Sequence, residues 1–281
     1  MRLLALKTIL VAAENDETSL LGIRAAADLA AAAGASLHVV HVAAADTSGA
    51  LDALERSMRG IDAKMHVLSG EPVDAIRALA DRLGADVIVL GPHRGGPRGG
   101  GERRLGSTAL AVVTNATAPC LVIAGTLPLP LHHVLVPVDM SDTARGALLV
   151  GLTWASGLRQ GNEKSVTRLT GLHVGKSIAA ESSGADRVRW LEEELARLRL
   201  TGGSWAGVDV ESAAVQGDDT AATIAEYSVQ RKADLIVIGT RGLGLDAVGR
   251  LGSVAGDMIR LLPVPVLLVP PAVWSTHASS A

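Results

Sequence analysis

The hydrophobic residues of this chain fall into short unbroken runs, separated by Ala-rich segments in which apolar residues recur every three or four positions. The runs at 7–13, 36–42 and 87–90 have the length of strands and show no polar alternation. Apolar residues at helical spacing occupy 18–33 and 72–83. Strands that are apolar on both faces lie in parallel sheets covered by helices, so this order predicts an α/β fold.

The second half of the chain repeats the pattern of the first. Four pairs of segments correspond in sequence and in order: 8–14 with 133–139, 85–91 with 233–239, 105–107 with 251–253, and the closing Pro-led aliphatic runs 119–123 with 265–269. A short Pro-containing spacer at 125–130 separates the copies, and the residues after 270 have the composition of a frayed tail. We therefore predict two tandem doubly wound domains, 1–127 and 131–272, each a five-stranded parallel sheet flanked by helices.

The same signals give the remaining elements. The first copy adds a helix at 50–58 and strands at 63–68 and 119–123. The second copy has strands at 134–138, 167–174, 208–215, 235–238 and 266–269, and helices at 144–158, 188–200, 220–231 and 254–261. In a doubly wound sheet, ligands collect at the carboxyl ends of the strands, so functional residues are expected directly after strands.

Composition and charge exclude several classes of function. The formal net charge of −3 gives no overall attraction for a polyanion, so we expect no nucleic-acid partner. No apolar stretch reaches the ~18 residues of a membrane span. The N-terminal apolar run recurs in mid-chain, where no export signal acts, and the single cysteine, Cys120, fits a reducing compartment. These features predict a cytoplasmic protein with no membrane association.

The strongest candidate for ligand chemistry is a glycine-rich loop in the second copy. It runs from Gly239 to Gly244 after a predicted strand, and Gly252 and Ser253 open the next helix. Glycines let the backbone approach a phosphate, and a helix N-terminus offers unpaired N–H donors. Asp139, at the end of the first strand of this copy, could accept hydrogen bonds from a ribose or an adenine amine. Alternatively, the glycines only turn the chain and Ser253 only caps the helix.

The spacing of Gly239, Gly242, Gly252 and Ser253 is similar to the nucleotide-binding signature of the universal stress protein family. Both halves resemble domains of that family, and the chain resembles its tandem members. The resemblance implies an adenine nucleotide alpha hydrolase-like fold and a site for ATP, with or without Mg²⁺. The residues that it implies for this site are Pro137, Asp139, Ile238, Gly239, Arg241, Gly242, Gly252, Ser253 and Val254.

The resemblance also implies how the two copies assemble. The last strands of two domains pair in the family, so 119–123 would pair with 265–269 and make the chain an intramolecular pseudo-dimer. It further allows a homodimer of the whole chain and a regulatory protein partner of unknown identity.

The first copy departs from the signature. Arg94 stands where the second glycine belongs, the following spacer is two residues longer, and Glu14 replaces the aspartate. Arginines in this loop could still hold a phosphate. The candidates for this second, weaker site are Glu14, Gly91, Arg94, Gly95, Gly106 and Ser107.

The sequence offers no candidate catalytic residue and no metal site. No Ser, His and Asp are spaced to suggest a triad. His38 and His41 lie three apart on a predicted strand, so they should point to opposite faces. The sequence therefore predicts an ATP-binding, nucleotide-responsive regulator of a stress response. The alternatives are a stress scaffold that binds no nucleotide and a slow ATPase.

Overall fold

A ten-stranded sheet with helices on both of its faces forms the centre of the protein. The computed structural model describes residues 6–14, 17–43, 52, 54–56, 58–91, 93–94, 103–159, 166–175, 181–200, 205–242 and 250–278. Statements on fold and site refer to these residues.

The first half contains five strands of the large sheet and three described helices. The strands are β1 (Thr8–Ala12), β2 (Ser36–Ala43), β3 (Lys64–Ser69), β4 (Val87–Leu90) and β7 (Cys120–Val122). The helices are α1 (Glu17–Ala33), α2 (Pro72–Leu83) and α3 (Ser107–Asn115). Two short strands outside this sheet, β5 (His93–Arg94) and β6 (Arg103–Arg104), pair with each other in antiparallel orientation.

The second half repeats this arrangement and adds a C-terminal helix. Its strands are β8 (His133–Pro137), β9 (Thr167–Gly175), β10 (Val208–Gln216), β11 (Leu235–Gly239) and β12 (Val266–Val269). Its helices are α4 (Asp142–Gly157), α5 (Glu181–Leu200), α6 (Thr220–Gln230), α7 (Ser253–Leu261) and α8 (Pro271–Ala278).

The strand order in the sheet is β10-β9-β8-β11-β12-β7-β4-β1-β2-β3. All pairs within each half are parallel. The halves meet where β12 pairs with β7 in antiparallel orientation, with Leu267 opposite Leu121. The strand pairing expected between the ends of the two copies is therefore present. In each half the strand order reverses beside the first strand, which opens a crevice at the carboxyl ends of β1 and β4 and of β8 and β11.

Local sequence explains where the elements begin and end. Pro72 starts α2, where its missing N–H leaves no hydrogen bond unmade, and Gly84 ends it in the left-handed conformation at φ 60°. Ser141 caps α4, because its side chain accepts a hydrogen bond from the N–H of Ala144 at 3.1 Å. The central strands are fully buried aliphatic runs, which fixes the helices on both faces.

Two expectations from the sequence need correction. The segment after 270 was expected to fray, but Pro271–Ala278 forms α8. Trp274 packs there against α4, so that a β-carbon on Gly146 would lie 3.5 Å from its Cβ. The helix expected at 188–200 begins at Glu181. Part of the helix expected at 50–58 lies outside the described residues, and the chain is helical at 52 and 54–56.

Candidate functional site

A cavity of about 320 Å³ lies at the carboxyl ends of β8 and β11. All nine residues implied for the nucleotide site line it: Pro137, Asp139, Ile238, Gly239, Arg241, Gly242, Gly252, Ser253 and Val254. Two of them come from 137–139 and the others from the distant stretches 238–242 and 252–254, and the crossover topology brings both parts of the chain to one edge of the sheet. The structure thus brings these residues together around one space.

Asp139 is oriented by the turn that leads into α4. Its Oδ1 accepts hydrogen bonds from the backbone N–H of Ser141 at 3.1 Å and from the Ser141 hydroxyl at 2.5 Å. Met140 between them adopts φ 67°, a left-handed conformation that costs a side-chain-bearing residue about 1 kcal/mol. The chain thus keeps a strained residue at the position that turns this carboxylate into the cavity.

The second glycine of the loop lies directly against this carboxylate. A β-carbon on Gly242 would lie 2.6 Å from the Oδ2 of Asp139, closer than non-bonded atoms approach. A β-carbon on Gly252 would lie 3.3 Å from the carbonyl oxygen of Thr240. At both positions, side-chain-free backbone faces the cavity, which is the property that close approach of a phosphate requires.

Helix α7 begins at the wall of the cavity. Gly252, with φ −62° and ψ 149°, is its N-cap, and Ser253 is the exposed first helical residue. The alternative in which Ser253 caps the helix is therefore wrong, since the cap position belongs to Gly252. The first N–H groups of a helix have no acceptor within it, and the helix dipole makes this end positive. This end of α7, with Arg241 nearby, suits an anion.

The other part of the cavity is apolar. Leu172 and Val174 of β9, Ile224 of α6 and Ile238 of β11 line it. A pocket with one apolar wall and a few convergent polar groups is typical of a site for a small organic ligand. The cavity therefore offers a surface for a planar base on one side and backbone donors for an anion on the other.

Several polar residues of the site, Thr220 among them, were not identified from the sequence. Ser141 and His173 line the cavity, and the Nδ1 of His173 lies 3.2 Å from the carbonyl oxygen of Val138. Thr143 lies behind the loop, where its hydroxyl donates a hydrogen bond to the carbonyl oxygen of Arg241. Ser141 could have been found as a helix cap after a strand, whereas no local signal marks Thr143 or His173.

The first copy has a smaller cavity of about 110 Å³ at the equivalent place. Of the residues expected to form a second site, Glu14, Gly91 and Gly106 line it, together with apolar residues such as Val40 and Leu90. Ser107 is exposed and is not among the lining residues. Arg94 belongs to β5, but its side chain and the whole of Gly95 lie outside the described residues.

The histidines on β2 have partners inside the protein. The Nδ1 of His38 lies 2.9 Å from the Nε2 of His66 on β3, and the two rings stack at 5.1 Å. The Nδ1 of His41 lies 2.9 Å from the carbonyl oxygen of Ala13. In the part of the chain that the structure describes, no three His, Cys, Asp or Glu side chains are grouped to hold a metal ion. Within the same residues, no helix combines the length and apolarity that crossing a membrane requires.

Known proteins resemble this chain in sequence and in fold. The family model of the universal stress protein family matches residues 5–61, 50–124 and 130–270. A universal stress protein from Archaeoglobus fulgidus has the same fold, with a TM-score of 0.70 and 20% identity over 96% of this chain and 100% of that protein's chain.

Two curated relatives match shorter stretches. A universal stress protein of Synechocystis is 50% identical over 48 residues, 17% of this chain and 31% of the relative. One of Thermus aquaticus is 40% identical over 79 residues, 27% of this chain and 56% of the relative. The chain thus spans less than two thirds of the length of either curated relative. The family model covers nearly the whole chain, with two overlapping matches in the first structural repeat and one in the second. The chain therefore belongs to the universal stress protein family as a tandem member.

Proposed function

We propose that the second copy binds ATP and that the chain is a nucleotide-responsive regulator of a stress response. The observation that carries this proposal is the convergence of the nine signature residues on one cavity of about 320 Å³. The proposal takes 1–127 and 131–272 as the two domains and the cytoplasm as the location. It also includes a protein partner that recognises the nucleotide-bound surface, and leaves room for a homodimer of the chain.

Each part of the cavity suits one part of the nucleotide. The aliphatic side chains of Leu172, Val174 and Ile224 offer a dry surface to the adenine ring. The carboxylate of Asp139 can accept hydrogen bonds from ribose hydroxyls, because a carboxylate has more acceptor sites than Ser141 occupies. Backbone at Gly242 and the start of α7 can then donate to the phosphates.

A bound Mg²⁺ would be held mainly by the phosphates of the nucleotide. Mg²⁺ keeps several waters and is usually bound through one or two carboxylates plus substrate phosphates. Asp139 is the carboxylate among the described lining residues of this cavity. We therefore expect Mg²⁺ to enter with ATP rather than to bind the protein beforehand.

We propose the first copy as a second, weaker site. Its cavity of about 110 Å³ is smaller, and Glu14 places a longer carboxylate where the second copy has Asp139. A nucleotide must therefore displace more of the protein here. We expect occupancy of this site only at nucleotide concentrations well above those that fill the second copy.

Two measurements test the proposal. Mass spectrometry of small molecules released by denaturing the purified chain should find an adenine nucleotide, and calorimetry with ATP should give one site that Asp139→Ala weakens. Wild-type protein that carries no nucleotide and takes up none would overturn the proposal and favour a scaffold that works without ligand. Phosphate release that Asp139→Ala abolishes would establish a slow ATPase, whereas release that persists unchanged would indicate a contaminant.

A further inference from the structure

We propose that Thr143 is a positioning residue that fastens the glycine loop of the second copy to the start of α4. Its role in ligand binding rests on the proposed nucleotide site, but the fastening of the loop is a property of the protein alone. Thr143 is 5% exposed and does not line the cavity, so it acts through the backbone of the loop.

The contact between Thr143 and the loop is close at two points. Its hydroxyl donates a hydrogen bond to the carbonyl oxygen of Arg241, 98 residues along the chain. A β-carbon on Gly239 would lie 2.7 Å from both the Cβ and the Oγ1 of Thr143. Threonine therefore packs against the first position of the signature and binds the backbone two residues later, which fixes the path of the loop between them.

The same side chain is connected to Asp139. The Ser141 hydroxyl lies 3.0 Å from the Thr143 hydroxyl and donates at 2.5 Å to the Oδ1 of Asp139. A chain of polar groups thus runs from the carboxylate in the cavity through two hydroxyls to the carbonyl of Arg241. It joins the two parts of the signature, the acidic residue and the loop, by side chains of α4 and its cap.

The number of hydroxyl protons in this series of polar groups allows the series to respond to a ligand at Asp139. Each hydroxyl has one proton, so with Ser141 donating to Asp139 and Thr143 donating to Arg241, neither donates between the two hydroxyls. When donors of a ligand occupy the Asp139 carboxylate, the proton of Ser141 can turn to Thr143. The Ser141 hydroxyl then donates to the Thr143 hydroxyl, which donates to the carbonyl oxygen of Arg241. Hydrogen bonds in such a series strengthen one another. Occupancy of the carboxylate therefore tightens the loop.

The chain offers variants that isolate the hydroxyl. Thr143→Val keeps the branched shape and removes the donor, whereas Thr143→Ser keeps the donor. Thr153→Val is the matched control, because Thr153 lies on the same helix and its hydroxyl donates only to the Leu149 carbonyl one turn before, at 2.8 Å. Thermal unfolding of the three variants separates loss of fold from loss of positioning.

Hydrogen–deuterium exchange of a peptide covering 239–242 is measured without ligand, and ATP affinity is measured by calorimetry. We expect Thr143→Val to speed exchange in this peptide and to weaken ATP binding about tenfold, since one hydrogen bond is lost. Thr143→Ser and Thr153→Val should behave as wild type in both measurements. Unchanged exchange in Thr143→Val, or equal loss in Thr143→Ser, would overturn the proposal.

The two proposals fail in different ways. If wild-type protein binds no ATP but Thr143→Val speeds exchange at 239–242, the nucleotide site is wrong and the fastening of the loop stands. If wild-type protein binds ATP and Thr143→Val binds it equally well, the positioning role is wrong and the nucleotide site stands.

Discussion

The Oδ2 atom of Asp139 lies 2.6 Å from the point that a β-carbon on Gly242 would occupy. The other oxygen of this carboxylate is held by the N–H and the hydroxyl of Ser141, so the group cannot turn aside without losing these bonds. The acidic residue across the crevice therefore by itself requires glycine at the second position of the signature.

Gly242→Ala should lower the affinity for ATP by about tenfold or more, because the new methyl group displaces the charged acceptor. The sheet lies away from this contact, so the melting temperature should stay close to that of wild type. Calorimetry with ATP and a thermal scan measure the two effects. Gly125→Ala is the matched control, since a β-carbon there meets no atom within 4 Å. Equal affinities for the two variants would contradict this reading of the loop.

Arg145→Leu should destabilise the protein by about 3 kcal/mol, because it leaves a buried carboxylate without its main partner. The Nε of Arg145 lies 3.2 Å from the Oε2 of Glu194, whose side chain is 4% exposed. Arg197 approaches the same oxygen at 3.7 Å with a side chain that is 67% exposed. Urea unfolding measures the change in the free energy of unfolding.

Arg197→Leu is the control for this prediction. Exposed ion pairs contribute at most about 1 kcal/mol, so its effect should stay below that value. The double variant Arg145→Leu with Glu194→Leu should recover much of the loss, because it removes the unpaired charge. A larger loss of stability in Arg197→Leu than in Arg145→Leu would show that Arg145 is not the main partner of the buried Glu194 carboxylate.

Cys120 should be inert in the native protein. It lies on β7 opposite Leu268, at the contact between the two halves, and burial raises the pKa of its thiol to about 12. Because the thiolate is the reactive form, a thiol reagent at pH 8 should find no reactive group in native protein and one per chain in guanidinium. Rapid modification without denaturant would mean that the contact between the halves opens readily.

The free energy of unfolding should fall as the pH is lowered from 7.5 to 5.5. Burial lowers the pKa of His38, with further effects of His66 and Lys64, and burial followed by Arg82 and Lys64 lowers the pKa of His66. Below pH 6.5 the unfolded chain therefore takes up protons more readily than the folded chain, and stability is lost until the folded pKa is passed.

His66→Gln should reduce this pH dependence, as measured by urea unfolding at both pH values. Part of the pH dependence of stability should remain, because desolvation by burial also lowers the pKa of His133. Val67→Gln, at an exposed position of the same strand, is the control that changes no ionisable group. A slope that is the same in His66→Gln as in Val67→Gln would exclude the histidine pair as its source.

The parts of the fold that depend on local signals could be predicted from the sequence. The predicted bounds 72–83 and 87–90 are those of α2 and β4, because Pro72 and Gly84 mark the helix and an unbroken aliphatic run marks the strand. The repeat also predicted a parallel α/β sheet in each half, and the glycine spacing led to nine of the residues that line the cavity.

What escaped prediction depends on contacts between distant segments. Trp274 forms part of a helix because it packs against α4, which its own small and polar neighbours do not indicate. Thr143 looks like any threonine in the first turn of a helix, and its importance comes from a carbonyl 98 residues away. Patterns within a window of ten or twenty residues carry no information on such pairs.

The antiparallel contact of β7 and β12 has an evolutionary consequence. In an assembly of two identical chains, every mutation appears twice, so a change that spoils one ligand cavity spoils both. Here a peptide linker joins the two copies, and each accumulates its own substitutions. Glu14 stands beside one cavity and Asp139 beside the other, while Leu121 and Leu267 still keep the two halves in one sheet. Joining the two copies in one chain thus allows the cavities to differ while β7 and β12 keep both halves in one sheet.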